Sequence, residues 1–208
     1  MHDNALTAEA KKLFPHFVKF EEFYLVGGTA LALQIGHRVS VDFDFFSEEE
    51  LSSSILPKIK RVFADGSLAI TYRSEDQLDV LINNIKTTFL HYPYPLIESP
   101  RTYRGVSIAP LSEIAAMKAF SIGRRLAYKD YVDWYFMLKE GHIALDAAVA
   151  LAQKKYGGEF NDRLFAGQLV SLDEVPGQKI DFLRESPDFA TVKEFLTNAV
   201  KDFISRKT

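Results

Sequence analysis

Cysteine is missing from the chain altogether. That excludes disulfides and thiolate metal centres, and it suits a reducing compartment. The opening run "MHDNALTAEAKKLF" lacks the apolar core of a secretory signal. No segment reaches the roughly 20 consecutive apolar residues of a membrane helix, so a cytoplasmic protein without membrane contact, most simply a monomer, is expected. Excess positive charge is lacking too. The formal net charge is -3, so any nucleic acid must be met by a local patch rather than by overall attraction. Of the five histidines, His37 is placed to brace a turn and His2, His16, His91 and His142 show no ligand spacing, which leaves nothing to suggest a zinc site or a nucleophilic triad. Repeats and low-complexity segments are also absent.

What is present is apolar and aromatic. Hydrophobic residues make up 47% of the 208 positions, with 17 Phe and 9 Tyr, enough for an ordinary core in one domain or two small ones.

The pattern changes along the chain. Residues 5 to about 20 read as a helix broken near Pro15. "EFYLV" reads as a strand that ends at Gly27-Gly28, and "TALALQIG" as a short helix closed by Gly36. "RVSVDFDFFS" alternates, with Val39, Val41, Phe43 and Phe45 on one face and Ser40, Asp42 and Asp44 on the other. Ser47 and Glu50 look like the capping box of a helix that continues to Phe63. "SLAITYRS" and "QLDVLINN" read as a hairpin, and "IKTTFLHY" and "VSIAP" as further strands. "PYPLIESPRTYRG" reads as a proline-broken loop. From Leu111 onward five successive helices are expected. Strands first and helices second predict an α+β protein: residues 1–110 as a small mixed sheet with flanking helices, residues 111–208 as a helical bundle.

Two constellations carry chemistry. Asp42 and Asp44, two apart on a strand, would project side by side. Ionised carboxylates so placed repel each other, and a divalent cation removes the conflict. Mg²⁺ suits one or two carboxylates plus phosphate oxygens. A bare D-x-D is also what a solvated strand face looks like. The glycine pair adds weight: Gly27 and Gly28 let backbone N–H groups approach an anion at a helix start. Thr29 is placed to cap that helix and to offer a hydroxyl to phosphate.

The second constellation is Lys118, set in an apolar run, with Asp130 and Asp133 further on. On one straight helix Lys118 and Asp130 would stand about 18 Å apart. A break between Gly123 and Tyr128 is needed for them to meet. Exposed polar residues at helix ends are the alternative reading.

"LVGGTALALQIGHRVSVDFDFFS" resembles the first motif of the AbiEii-like nucleotidyltransferases, toxins of abortive-infection and toxin–antitoxin systems within the DNA polymerase β-like superfamily. Gly27, Gly28, Thr29, Leu31, His37, Arg38, Asp42, Asp44 and Ser47 carry the match. Lys118, Arg125, Asp130 and Asp133 resemble a later motif of the same family, with Arg124 as the alternative to Arg125.

The resemblance implies a polymerase β-like mixed sheet and a Mg²⁺-dependent transfer of an NMP from an NTP, with Mn²⁺ as the alternative ion. Asp42 and Asp44 would hold the metal. Gly27, Gly28, Thr29, Arg38, Lys118 and Arg125 would hold the nucleotide. Asp130 would act toward an acceptor, either RNA such as tRNA or a protein hydroxyl. An antitoxin is the implied partner. Lys58, Lys60, Arg61, Arg101, Arg104, Arg124 and Lys129 are the basic residues available to an acceptor. No third acid is evident. Asp79 is either that ligand or an exposed hairpin residue. A nucleotide-binding protein without transferase activity is therefore the alternative function.

Overall fold

The computed structural model describes residues 1–124 and 127–206. The chain divides into two compact units, Met1–Pro110 and Leu111–Thr208.

In the first unit the described residues form a mixed seven-stranded sheet with helices alongside. Helix α1 (Ala8–Leu13) is followed by a 3-10 turn, Phe14–Lys19, where Pro15 cannot donate to the helix ladder. Strand β1 (Tyr24–Val26) runs directly into α2 (Gly27–Ile35), which closes on Gly36. Strand β2 (Phe43–Ser47), helix α3 (Ile55–Val62) and strands β3 (Leu68–Arg73), β4 (Gln77–Ile82), β5 (Ile85–His91), β6 (Arg101–Tyr103) and β7 (Val106–Ile108) complete the unit. The strand order is β3-β4-β5-β2-β1-β7-β6. The β1–β2, β3–β4, β4–β5 and β6–β7 pairs are antiparallel, whereas β1–β7 and β2–β5 are parallel.

One face of the sheet is closed by phenylalanine. Phe43 and Phe45 are fully buried. Phe17 lies 4.9 Å from Phe43 and 4.6 Å from Phe45, and Phe45 lies 5.6 Å from Phe89. Burial of such rings is the main force that holds β2 central.

Several local expectations are corrected. Strand β2 begins at Phe43 rather than Arg38, so Val41 is 49% exposed and Asp42 precedes the strand. Ser47 caps no helix. It ends β2, paired with His91 of β5, and its carbonyl accepts from the Tyr92 amide at 2.7 Å. Helix α3 starts seven residues later than the capping box implied, because the parallel ladder holds Ser47 extended. Arg101–Tyr103, expected as loop, is a short strand against β7.

The second unit is helical: α4 (Leu111–Ser121), α5 (Tyr128–Lys139), α6 (Leu145–Tyr156), α7 (Asp162–Val170) and α8 (Phe189–Ser205). Its core is aromatic. Trp134 lies 5.3 Å from Phe165, and Phe120 stacks on Tyr156 at 4.0 Å. Asn161 and Asp188 cap α7 and α8 by accepting from backbone amides. Among the described residues no helix is long and apolar enough to cross a membrane.

Candidate functional site

The first-unit site follows from strand register. Val26, the last residue of β1, pairs with Asp44 of β2. The Asp44 side chain therefore arrives beside the diglycine that follows Val26. Gly27 has φ +70°, and a Cβ there would sit 2.5 Å from Asp44 Oδ2. Only glycine meets both demands. A Cβ on Gly28 would lie 2.5 Å from Arg38 Nη2, so the next residue is pressed by a guanidinium. Arg38 is 4% exposed, and its Nη1 donates to the Val39 carbonyl at 3.2 Å. A carboxylate and a guanidinium thus flank the first two residues of α2.

Thr29 is not the helix cap, since α2 starts at Gly27 with Val26 in the cap position. Its buried hydroxyl is hydrogen-bonded to Ser40 Oγ at 2.8 Å and donates to the Asp42 carbonyl. Thr29 thereby ties the helix to the segment that presents Asp42. Asp42 and Asp44 are both half-buried.

Asp79 is neither exposed nor adjacent to β2. It is 6% exposed, and β5 lies between its strand and Asp44. Asp79 pairs with Thr88, which pairs with Asp44. Two strand spacings, about 10 Å, separate the two acids. The Asp79 carboxylate accepts from Gln77 Nε2 at 2.8 Å and meets Lys86 Nζ at 3.1 Å. Burial alone would raise its pKa. Hydrogen bonds from Gln77, Lys86 and Thr88 outweigh that and hold it below the ordinary carboxylate range.

Among the described residues no group of three or more His, Asp or Glu side chains has metal-holding geometry. Asp42 and Asp44 supply hard oxygen donors, and the missing Cβ of Gly27 keeps a clearing beside Asp44. This donor set fits a cation that takes two carboxylates and completes its shell with phosphate oxygens and water.

In the helical unit α4 and α5 are separate helices, and side chains twelve residues apart meet. Lys118 Nζ lies 2.9 Å from Asp130 Oδ1 and 2.6 Å from Asp133 Oδ2. Lys118 is 5% exposed and Asp133 fully buried. Burial disfavours the ammonium ion, but the two carboxylates more than compensate and raise the lysine pKa. A second buried pair, Lys155 with Glu113 at 2.9 Å, joins α6 to α4. Sequence reading missed this pair, although a Glu and a Lys within apolar helices were its visible signal. Arg125 lies outside the described residues. Of the basic residues noted for an acceptor, Lys58 is paired with Glu22 and Arg104 with Asp3.

Comparison with known proteins gives the family. Residues 11–102 match the family model described as the nucleotidyl transferase AbiEii toxin of type IV toxin–antitoxin systems. An uncharacterised protein of Aquifex aeolicus is 32% identical over 185 residues, covering 88% of each chain. The chain belongs to the AbiEii nucleotidyltransferase toxin family. The solved structure of a proposed nucleotidyltransferase from H. pylori is similar to this AbiEii chain at TM-score 0.66 and 19% identity, covering 99% of this chain and 97% of that one. The MenT4 nucleotidyltransferase toxin of Mycobacterium tuberculosis is similar at TM-score 0.50 and 13% identity, covering 92% and 80%. Both likenesses are of fold. Gly27, Gly28, Arg38 and Asp44, which meet around the start of α2, lie within the residues that the AbiEii model matches.

Proposed function

We propose that this AbiEii protein transfers a nucleoside monophosphate from an NTP to a hydroxyl group, on RNA such as tRNA or on a protein. The observation that carries the reading is the paired approach to the diglycine: Asp44 against Gly27 and Arg38 against Gly28. The phosphates lie against the start of α2, where the amides of Gly27 and Gly28 and the Arg38 guanidinium provide donors and positive charge. Asp42 and Asp44 would hold Mg²⁺, which would neutralise charge at the α-phosphate and on departing pyrophosphate. The acceptor oxygen forms a bond to the α-phosphorus, the bond to the β-phosphate oxygen breaks, and pyrophosphate leaves. Lys118 and Asp130 belong to the helical unit, where they pair with each other, and the acceptor proton passes to solvent.

The test is incubation with each labelled NTP, Mg²⁺ and total RNA. Labelled product with pyrophosphate release is expected, and Asp42→Ala and Asp44→Ala should each lower it by about 100-fold or more. Label on protein rather than RNA would identify the other acceptor. A second reading rests on Thr88, which occupies the register position beside Asp44 where a third acid would stand. In that reading the protein binds NTP and acts through a partner, so binding would persist without pyrophosphate release. As a family toxin it should slow growth when expressed, Asp44→Ala should relieve this, and a neighbouring antitoxin should co-purify with it.

A further inference from the structure

Asp44 and Phe46 stand two residues apart on β2, so their side chains leave the same face of the sheet, about 7 Å apart along the strand. Phe43 and Phe45 point the other way and are fully buried. Phe46 is only half-buried. Its ring lies 4.9 Å from that of Tyr92, which lies 5.1 Å from Tyr94. Both tyrosines are half-buried as well.

The strip is held in place by β2. The Tyr92 amide donates to the Ser47 carbonyl at 2.7 Å, and the Leu96 amide to Glu48 Oε1 at 2.9 Å. Three rings with partly open surfaces are therefore fixed beside the acid that approaches Gly27. Rings serving only the core of this unit are closed, as Phe17, Phe43 and Phe45 are.

We propose that Phe46, with Tyr92 and Tyr94, is the platform on which the nucleobase of the triphosphate stacks while its phosphates lie at Gly27, Gly28 and Asp44. This rests on the nucleotidyl-transfer reading and adds the residues that bind the base. A ring platform reads the π-face that every base has, not its hydrogen-bonding edge. The four NTPs therefore bind with similar affinity, and all bind tighter than tripolyphosphate, which lacks a base.

The experiment measures binding of ATP, CTP, GTP, UTP and tripolyphosphate, each with Mg²⁺, to the wild-type protein and to Phe46→Leu and Tyr92→Leu. Leucine keeps apolar bulk and removes the ring. Stacking of one base is expected to make NTPs bind roughly 5- to 150-fold tighter than tripolyphosphate. Phe46→Leu should remove most of that margin and leave tripolyphosphate binding unchanged. A variant that weakens both ligands equally, or neither, would overturn the platform. Equal wild-type affinity for NTP and tripolyphosphate would overturn it while leaving the phosphate site intact. If the wild type binds neither, the transfer reading fails and the platform with it. Tyr94→Ala, on the loop, repeats the measurement if Phe46→Leu fails to fold.

Discussion

Val26 and Asp44 are register partners in the β1–β2 ladder, and this one pairing delivers a carboxylate to the diglycine. The clearing beside Asp44 depends on the absence of a side chain at Gly27. Gly27→Ala should thus do two things. A left-handed φ on alanine costs on the order of 1 kcal/mol, seen as a lowered urea midpoint. The new methyl must also push Asp44 aside, and a shift of about 1 Å in a catalytic group lowers turnover about 100-fold. Activity loss out of proportion to stability loss is the expected result. Gly28→Ala presses on the end of Arg38, with Ser40 Oγ at ordinary contact distance, and should weaken nucleotide binding with little loss of stability.

Lys118 neutralises two buried carboxylates. Lys118→Met should cost about 3–5 kcal/mol at neutral pH, because it leaves buried charge uncompensated. The lysine pKa is raised on folding, so its stabilisation is fully present below the ordinary lysine value of 10.5. It is lost as pH rises through the higher folded value. Denaturation curves of the wild type and Lys118→Met should converge at strongly alkaline pH.

Asp79 shows the opposite sign. Its folded pKa is depressed below 3.8, so its contribution is present above pH 3.8 and disappears as pH falls through the lower folded value. Asp79→Asn should be less stable than the wild type near neutrality and equal to it in strong acid. Thermal unfolding across that range checks the claim. If Asp79 is structural, as its position two strands from Asp44 indicates, turnover per folded molecule should hold.

Glu113 and Lys155 are both closed from solvent and face each other between α4 and α6. Lys155→Met alone should destabilise by about 3–5 kcal/mol. Glu113→Leu combined with Lys155→Met should recover most of that loss, since an apolar pair of similar volume replaces a buried ion pair at little cost. Urea unfolding of the single and double variants measures the difference.

Much of this could be read from residues alone, for physical reasons. The diglycine and the D-x-D are close in sequence, and a strand-turn-helix-strand path forces them together. The meeting of Lys118 and Asp130 followed from helix rise: the two could meet only if the helix broke. What stayed hidden depended on distant pairing. "SEEE" after Phe46 has the composition of a helix start, yet Ser47 is held extended by β5, nearly forty residues on. Asp79 looked like a hairpin residue because Lys86 becomes its partner only through the β4–β5 register, while Gln77 stands two residues away on the same strand. Thr29 looked like a cap, but its hydroxyl is claimed by Ser40 and Asp42 across the turn. The Phe46 strip combines a strand residue with a proline-rich loop, and nothing in local spacing joins them.

The parallel pairing of β1 with β7 also bears on how the protein is made. Leu25 meets Ile108, more than eighty positions later. During synthesis the strand that leads into the diglycine can pair with β2 early but keeps a bare edge until Val106–Ile108 emerge from the ribosome. A nascent chain halted before that point would be open to proteases on the edge beside its own diglycine, and unfinished copies would then be cleared.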